Sequence, residues 1–228
     1  MSMITTSKDL KSLCQRLGKA EFVTVDTEFL RESTYYPQLC LIQVAGPDEA
    51  FCIDPLVEGI DLAPFFDLLL NPAVIKVFHA ARQDLEIFVN LMGKLPEPLF
   101  DSQVAAMVCG FGASVGCDTL INKITGEVID KTSRFTDWSR RPLTEKQISY
   151  ALADVTHLRV AYVHLRNMLA ESGRAHWLSE EMGVLTDIGI YKTEPADAWL
   201  RIKPRTTKPR FLAILREVAA WREKEAQT

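Results

Sequence analysis

The sequence has no stretch approaching the ~20 consecutive apolar residues of a membrane-spanning helix. None of its five cysteines forms a C-x-x-C pair. Cys14, Cys40, Cys52, Cys109 and Cys117 are odd in number and widely spaced. That spacing argues against a disulfide framework or a zinc knuckle and for free, mostly buried thiols. Internal repeats and low-complexity tracts are also missing. The opening MSMITTSKDL lacks the basic flank and apolar run of a signal peptide. The expectation is a cytoplasmic protein with no membrane partner. Nor is there an excess of positive charge: 26 Lys and Arg stand against 30 Asp and Glu, a net of −4. A simple electrostatic nucleic-acid binder is therefore disfavoured.

What is present is a chain of 228 residues, 47% hydrophobic and 25% charged. Those fractions exclude disorder and a fibrous fold, and the length fits one large domain or one domain with an appendage. The charge is uneven. From Arg201 onward there are eight basic and three acidic residues, and residues 1–200 hold 18 basic and 27 acidic. A basic tail on an acidic body reads as a phosphate-contacting arm or as a plain solvated helix.

EFVTVDTEFL (21–30) is rich in β-branched and aromatic residues and predicts a strand. LCLIQVAG (39–46) and AFCIDP (50–55) follow across the turn-like GPDE, which predicts an antiparallel meander. APFFDLLLN (63–71) has helical spacing, VIKVFHA (74–80) is a short buried strand, and RQDLEIFVNLMG (82–93) is a helix stopped by Gly93. After a further short strand, PLFD, helices dominate. The sum is an α/β domain of about 170 residues, a mixed sheet flanked by helices, with a C-terminal helical extension. KPRTTKP (203–209) reads as a linker into a last amphipathic helix bearing Phe211, Ile214, Leu215, Val218 and Trp221 on one side. That stripe is expected to fold back on the core or to pack against a second chain.

Asp26 and Glu28 sit at i and i+2 of the first strand, so their side chains share one face. Two carboxylates on an apolar strand are costly to bury as bare charges, and a divalent cation is the usual compensation. The alternative is a strand that ends near Val25, with both acids solvated. Asp84 opens the helix after VIKVFHA, where it also suits the helix dipole. Tyr150 and Asp154 lie four residues apart, one turn along one helix face; such a pair is also a common core hydrogen bond. Four carboxylates and a tyrosine together are what two-metal phosphoryl transfer requires.

Three segments carry these residues in order: VDTEFLRESTYYPQLCLIQ, KVFHAARQDLEIF and YALADVTHL. With the linking stretch DKTSRFTDWSRRPLTEKQISYA, the sequence resembles ribonuclease D, in the tyrosine subclass of the DEDD superfamily of 3′→5′ exonucleases. The resemblance is strong over residues 1–170 and looser over PADAWLRIK to WREKEA. It implies a ribonuclease H-like fold and metal-dependent removal of nucleotides from RNA 3′ ends, with tRNA precursors as familiar substrates. It implies two divalent ions, Mg²⁺ or Mn²⁺, on Asp26, Glu28, Asp84 and Asp154, with Tyr150 beside the attacking water and no small-molecule cofactor. Residues 171–228 are then expected to be a helical extension and a linker, followed either by the start of a truncated HRDC domain or by the end of a short natural form, with Pro204 standing where a glycine is common.

His79 is a further candidate for phosphate contact, with a satisfied buried histidine as the alternative. Trp138, Arg140 and Arg141 form an aromatic–basic cluster that suits base stacking and phosphate binding, or simple loop packing. Three competing functions remain. A DNA exonuclease of the same superfamily shares every residue above. A haloacid-dehalogenase-like phosphatase needs D-x-D and a late acid pair, whereas the sequence has D-x-E. A non-catalytic RNA-binding relative is expected to lack one of the five residues, and all are present.

Overall fold

A central mixed sheet is built from β1 (Met3–Ile4), β2 (Phe22–Leu30), β3 (Gln38–Ala45), β4 (Ala50–Ile53), β5 (Ile75–Phe78) and β6 (Leu99–Asp101) in the computed structural model. The structure describes residues 2–130, 132–133 and 136–227. Strand order is β1-β4-β3-β2-β5-β6. β2, β3 and β4 form the expected antiparallel meander, while β5 lies parallel to β2 and β6 parallel to β5. The two-residue β1, parallel to β4, has no counterpart in the sequence reading, because it is too short to show a period.

The described residues form the α-helices α1 (Ser7–Leu17), α2 (Ala63–Leu69), α3 (Arg82–Met92), α4 (Ser102–Val108), α5 (Cys117–Thr125), α6 (Glu145–Ser172), α7 (Ala175–Leu185) and α8 (Pro209–Gln227). The alternation of β2 decides which helices each face meets. Val23 and Val25 enter a core with Leu10, Leu13, Phe65, Leu85 and Phe88 of α1, α2 and α3. Phe22 points the other way, into a core with α4, α5, α6 and α7. There Tyr162 of α6 packs between Phe22 (ring centroids 4.5 Å apart) and Phe100 (4.9 Å), each such pair contributing about 0.5–1.5 kcal/mol beyond area burial. The Thr24 hydroxyl donates to the Val155 carbonyl at 2.8 Å, which pins β2 to the stretch of α6 that carries Asp154.

α6 starts at a capping box formed by Thr144 and Gln147 and ends at Gly173 in the left-handed conformation. Gly93, also left-handed, stops α3 as expected. Cys14, Cys40 and Cys52 are buried free thiols, and Cys109 and Cys117 are half-buried. Among the described residues no helix is long and apolar enough to cross a membrane.

α8 does fold back, but not through the stripe expected to drive it. The helix docks on the 3₁₀ turn Pro195–Arg201 through buried Ala219 and Glu223, and Glu223 accepts hydrogen bonds from Arg201 and Tyr35. Of the stripe, Phe211, Ile214, Val218 and Trp221 are exposed and Leu215 is half-buried. A buried carboxylate with two fixed donors outcompetes the apolar stripe as the docking edge.

Candidate active site

The chemistry of the site begins with two chain reversals. β5 ends at Phe78, and the next residues turn sharply into α3. Ala80 takes a left-handed conformation, φ 56°, which costs a non-glycine residue of order 1 kcal/mol. Asp101, at the end of β6, holds that turn. Its carboxylate accepts from the Ala80 amide at 3.1 Å and the Ala81 amide at 2.8 Å, while also capping α4 through the Gln103 amide at 2.7 Å. The turn places Asp84 in the first turn of α3. The second reversal, ahead of α6, is tied by Arg141. Its guanidinium makes a bidentate pair with Asp54 (2.6 and 2.7 Å) and donates to the Cys40, Trp138 and Arg140 carbonyls. That anchors the start of α6, and so Tyr150, to β3 and to Asp54 just past β4.

The two reversals and the middle of β2 meet in one pocket of about 400 Å³. Asp26, Glu28, Asp84, Tyr150 and Asp154 all line it, with His79 and Asp118. The described lining holds five carboxylates, counting Asp118, and no Lys or Arg. Burial, then the charges of Asp84, Asp154 and Glu28, push the Asp26 carboxyl well above its usual range. Burial likewise raises Asp84 to about 7, against the hydrogen bond it accepts from Thr27 at 2.5 Å. Thr27 faces the α3 side of the sheet, so β2 presents carboxylates on one face and an orienting hydroxyl on the other. Burial and the charges of Asp154, Glu28 and Asp26 raise the Tyr150 phenol, which therefore keeps its proton at neutral pH. Its ring rests on Trp138, centroids 6.1 Å apart.

His79 lines the pocket with both ring nitrogens engaged, Nδ1 with the Ser102 hydroxyl at 2.8 Å and Nε2 with the Val115 carbonyl at 3.0 Å. Burial lowers its pKa, so the ring is held neutral. Trp138 and Arg141 are not brought to the pocket. Trp138 is 2% exposed, packed with Cys40, Leu41 and Ala151, and so offers no face to a base. Arg141 has its donors committed to Asp54 and three carbonyls, leaving none for a phosphate. The exposed Arg140 pairs with Asp137.

Sequence reasoning missed Thr27, Asp101 and Gln43. Gln43 lies directly opposite Asp26 in the β2–β3 register, which puts both side chains on one face with their Cβ atoms about 5 Å apart. It is fully buried, and neither amide atom has a partner among the described residues. The pairing was readable from the meander, but the burial was not. An oxygen-only, carboxylate-rich donor set beside an orphaned amide fits a hard divalent cation. Among the described residues no three Asp, Glu, His or Cys side chains already form a ready-made cation site. Asp84 is directed onto Thr27.

A family model for the 3′-5′ exonuclease domain matches residues 1–170. The chain belongs to the 3′-5′ exonuclease family. The chain is 57% identical over 228 residues to a ribonuclease D of Nitrobacter hamburgensis and 55% identical over 226 to one of Granulibacter bethesdensis. It covers 100% and 99% of itself and 60% and 57% of those proteins. Among solved structures it is similar to Escherichia coli RNase D, an exoribonuclease involved in structured RNA processing, with a TM-score of 0.92 and 39% identity over 99% of this chain and 60% of that one. The chain thus spans about three fifths of the length of these relatives. The agreement with E. coli RNase D establishes the ribonuclease H-like fold expected from the motifs.

Proposed function

We propose that this chain is the catalytic part of a metal-dependent 3′→5′ exoribonuclease of the ribonuclease D kind, acting on single-stranded RNA 3′ ends, with tRNA precursors as the physiological class. The observation that carries the reading is the convergence of Asp26, Glu28, Asp84, Asp154 and Tyr150 in one pocket. The catalytic unit is residues 1–170, and residues 171–228 are its helical extension. The four carboxylates would hold two Mg²⁺ or Mn²⁺ ions, which when bound supply Lewis acidity to the phosphate and to water.

The rest of the chemistry belongs to the chain. Tyr150, protonated and backed by Trp138, offers a fixed hydroxyl with which to orient the attacking water. Thr27 aims Asp84, and Asp101 fixes the turn that delivers it. Neutral His79, bonded on both sides, shapes the wall next to α4 and excludes solvent without carrying charge. Each is positioned before substrate arrives, so little reorganisation accompanies reaction.

Incubation of 5′-labelled RNA and DNA oligonucleotides with the protein and Mg²⁺ or Mn²⁺ tests the reading. A ladder of RNA shortening from the 3′ end, abolished by EDTA, is the expected result. Full activity in EDTA, or cuts inside the strand, would overturn it, and shortening of DNA alone would replace RNA by DNA as the substrate.

A further inference from the structure

The described lining of the pocket is acidic, and its substrate class is an anion. RNA is a polyanion, and the wall nearest the reacting phosphate carries five carboxylates without a described Lys or Arg. Cations bound there serve the scissile phosphate, but the strand behind it also needs charge.

A second groove of about 810 Å³ adjoins the pocket, and Gln83 lines both. It runs between the exposed side of α3 and the C-terminal extension. Its character is the reverse of the pocket's: Arg31, Arg82, Lys192 and Arg201 stand in its wall against Glu86 and Glu194. Two of these cations are committed. Arg31 forms a bidentate pair with Glu86 at 2.7 Å, and Arg201 pairs with buried Glu223 at 2.6 Å. Arg82 and Lys192 are exposed and make no ion pair among the described residues. Tyr35 and Tyr36 also line the groove, edge to face with centroids 4.8 Å apart. The Tyr35 hydroxyl donates to Glu223, which locks the pair to α8, while Tyr36 is left 40% exposed. Free cations beside a fixed aromatic face are the elements of single-strand binding.

We propose that this groove carries the RNA strand on the 5′ side of the nucleotide being removed. Arg82 and Lys192 contact its phosphates, and Tyr36 stacks on a base. The inference rests on the exonuclease reading and extends it: the C-terminal extension forms one wall of the substrate path. Continuity with the pocket and the aromatic face favour RNA over an acidic peptide, which needs neither.

The test measures binding of a 5′-fluorescent RNA octamer by anisotropy in Mg²⁺, in the Asp26→Asn background. Hydrolysis of octamer and dinucleotide is followed separately in the otherwise wild-type chain. The Arg82→Gln/Lys192→Gln pair should weaken octamer binding roughly tenfold and make the slope of log K against log salt shallower by about 1.4, two phosphates at ~0.7 each. The ratio of octamer to dinucleotide kcat/KM should fall with it. Tyr36→Leu should weaken binding by roughly fivefold or more with the slope unchanged, because stacking releases no counterions. Lys8→Gln/Lys11→Gln, a charge-matched pair on exposed α1, controls for net charge. Wild-type affinity and slope in the Arg82/Lys192 pair, a loss no greater than the α1 control, or displacement of RNA by polyglutamate at equal charge would each overturn the proposal. If RNA binds through the groove but is never shortened, the exonuclease reading fails and the groove stands. If RNA is shortened while the pair keeps its octamer preference, only the groove proposal fails.

Discussion

β5 has a buried charge at its start and several just past its end, and the two are handled in opposite ways. At the start, Lys76 is fully buried, and its ammonium donates to the carbonyls of Asn71 (2.8 Å), Val74 (2.7 Å) and Glu97. Three N–H donors meet three backbone acceptors, so the group is satisfied by folding itself. Past the other end, Asp84 is buried and the neighbouring Asp26 of β2 half-buried beside further carboxylates, and desolvation drives both pKa values up. The backbone there is strained at Ala80 rather than relaxed. Burial disfavours the charged form at both ends, but at Lys76 every donor is satisfied, whereas at the other end the carboxylates have like charges for neighbours and a strained turn beside them, which a bound cation can relieve.

The largest test of this contrast is Asp26→Asn. An amide is a neutral, weaker ligand, so hydrolysis should fall roughly 10³-fold or more. The metal-free protein should at the same time gain about 1 kcal/mol or more, because one of several crowded carboxylates is gone. Loss of activity accompanied by loss of stability in urea would show that Asp26 is a structural residue and would break the comparison. Tyr150→Phe is narrower. It keeps the ring on Trp138 and removes only the hydroxyl, so kcat should fall by about 10²–10³-fold while RNA and metal affinity hold. A variant retaining half the wild-type single-turnover rate would mean that the pocket does not use the hydroxyl.

Lys76→Met probes the other end. It strands three carbonyls and should cost about 2–4 kcal/mol of folding stability, leaving kcat of the folded enzyme unchanged. The two ends should also show opposite pH slopes in EDTA. Asp84 titrates near 3.8 unfolded and about 7 folded. Between those values the folded state holds more protons, so stability falls as pH rises. Lys76 titrates near 10.5 unfolded and about 8 folded. In that window the unfolded state holds more protons, so stability rises with pH. Asp84→Asn should flatten the first limb and Lys76→Met the second. Melting temperatures across pH 4–10 that ignore either substitution would remove that end from the comparison.

Much of this was written locally in the chain. The i, i+2 acids of β2, the Gly93 stop and the four-residue spacing of Tyr150 and Asp154 each depend on one element's period, and periods are readable. What the sequence hid depends on distant partners. Arg141 looked like a phosphate ligand because Asp54, its partner, lies 87 residues away. Trp138 looked like a stacking platform because nothing local says that α6 and β3 close over it. Asp101, in a three-residue strand, reaches back 21 residues to hold Ala80. The docking edge of α8 was misread for the same reason: Glu223 is an ordinary surface glutamate until Tyr35 and Arg201 meet it.

The smallest effect sits between the two ends, in the turn itself. Ala80 is the only described non-glycine residue with positive φ, at 56°, a region in which its Cβ crowds the following carbonyl. If that strain is held in place by the two amide bonds to Asp101, a glycine at 80 should relieve it. The relief, of order 1 kcal/mol, is reduced by the roughly 0.5–1 kcal/mol of greater freedom glycine has when unfolded, to a net gain of at most about 0.5 kcal/mol. The same relief should loosen the turn that delivers Asp84. Ala80→Gly is therefore expected to melt slightly higher and to lose a few-fold in kcat, with KM for short RNA nearly unchanged. Asp101→Asn separates the causes, since it keeps the side chain's shape but weakens its acceptance from the Ala80 and Ala81 amides. It should lower both stability and kcat. If Ala80→Gly gains stability with no loss of rate, the strain at this end of β5 is incidental, and only the crowded carboxylates distinguish it from the end at Lys76.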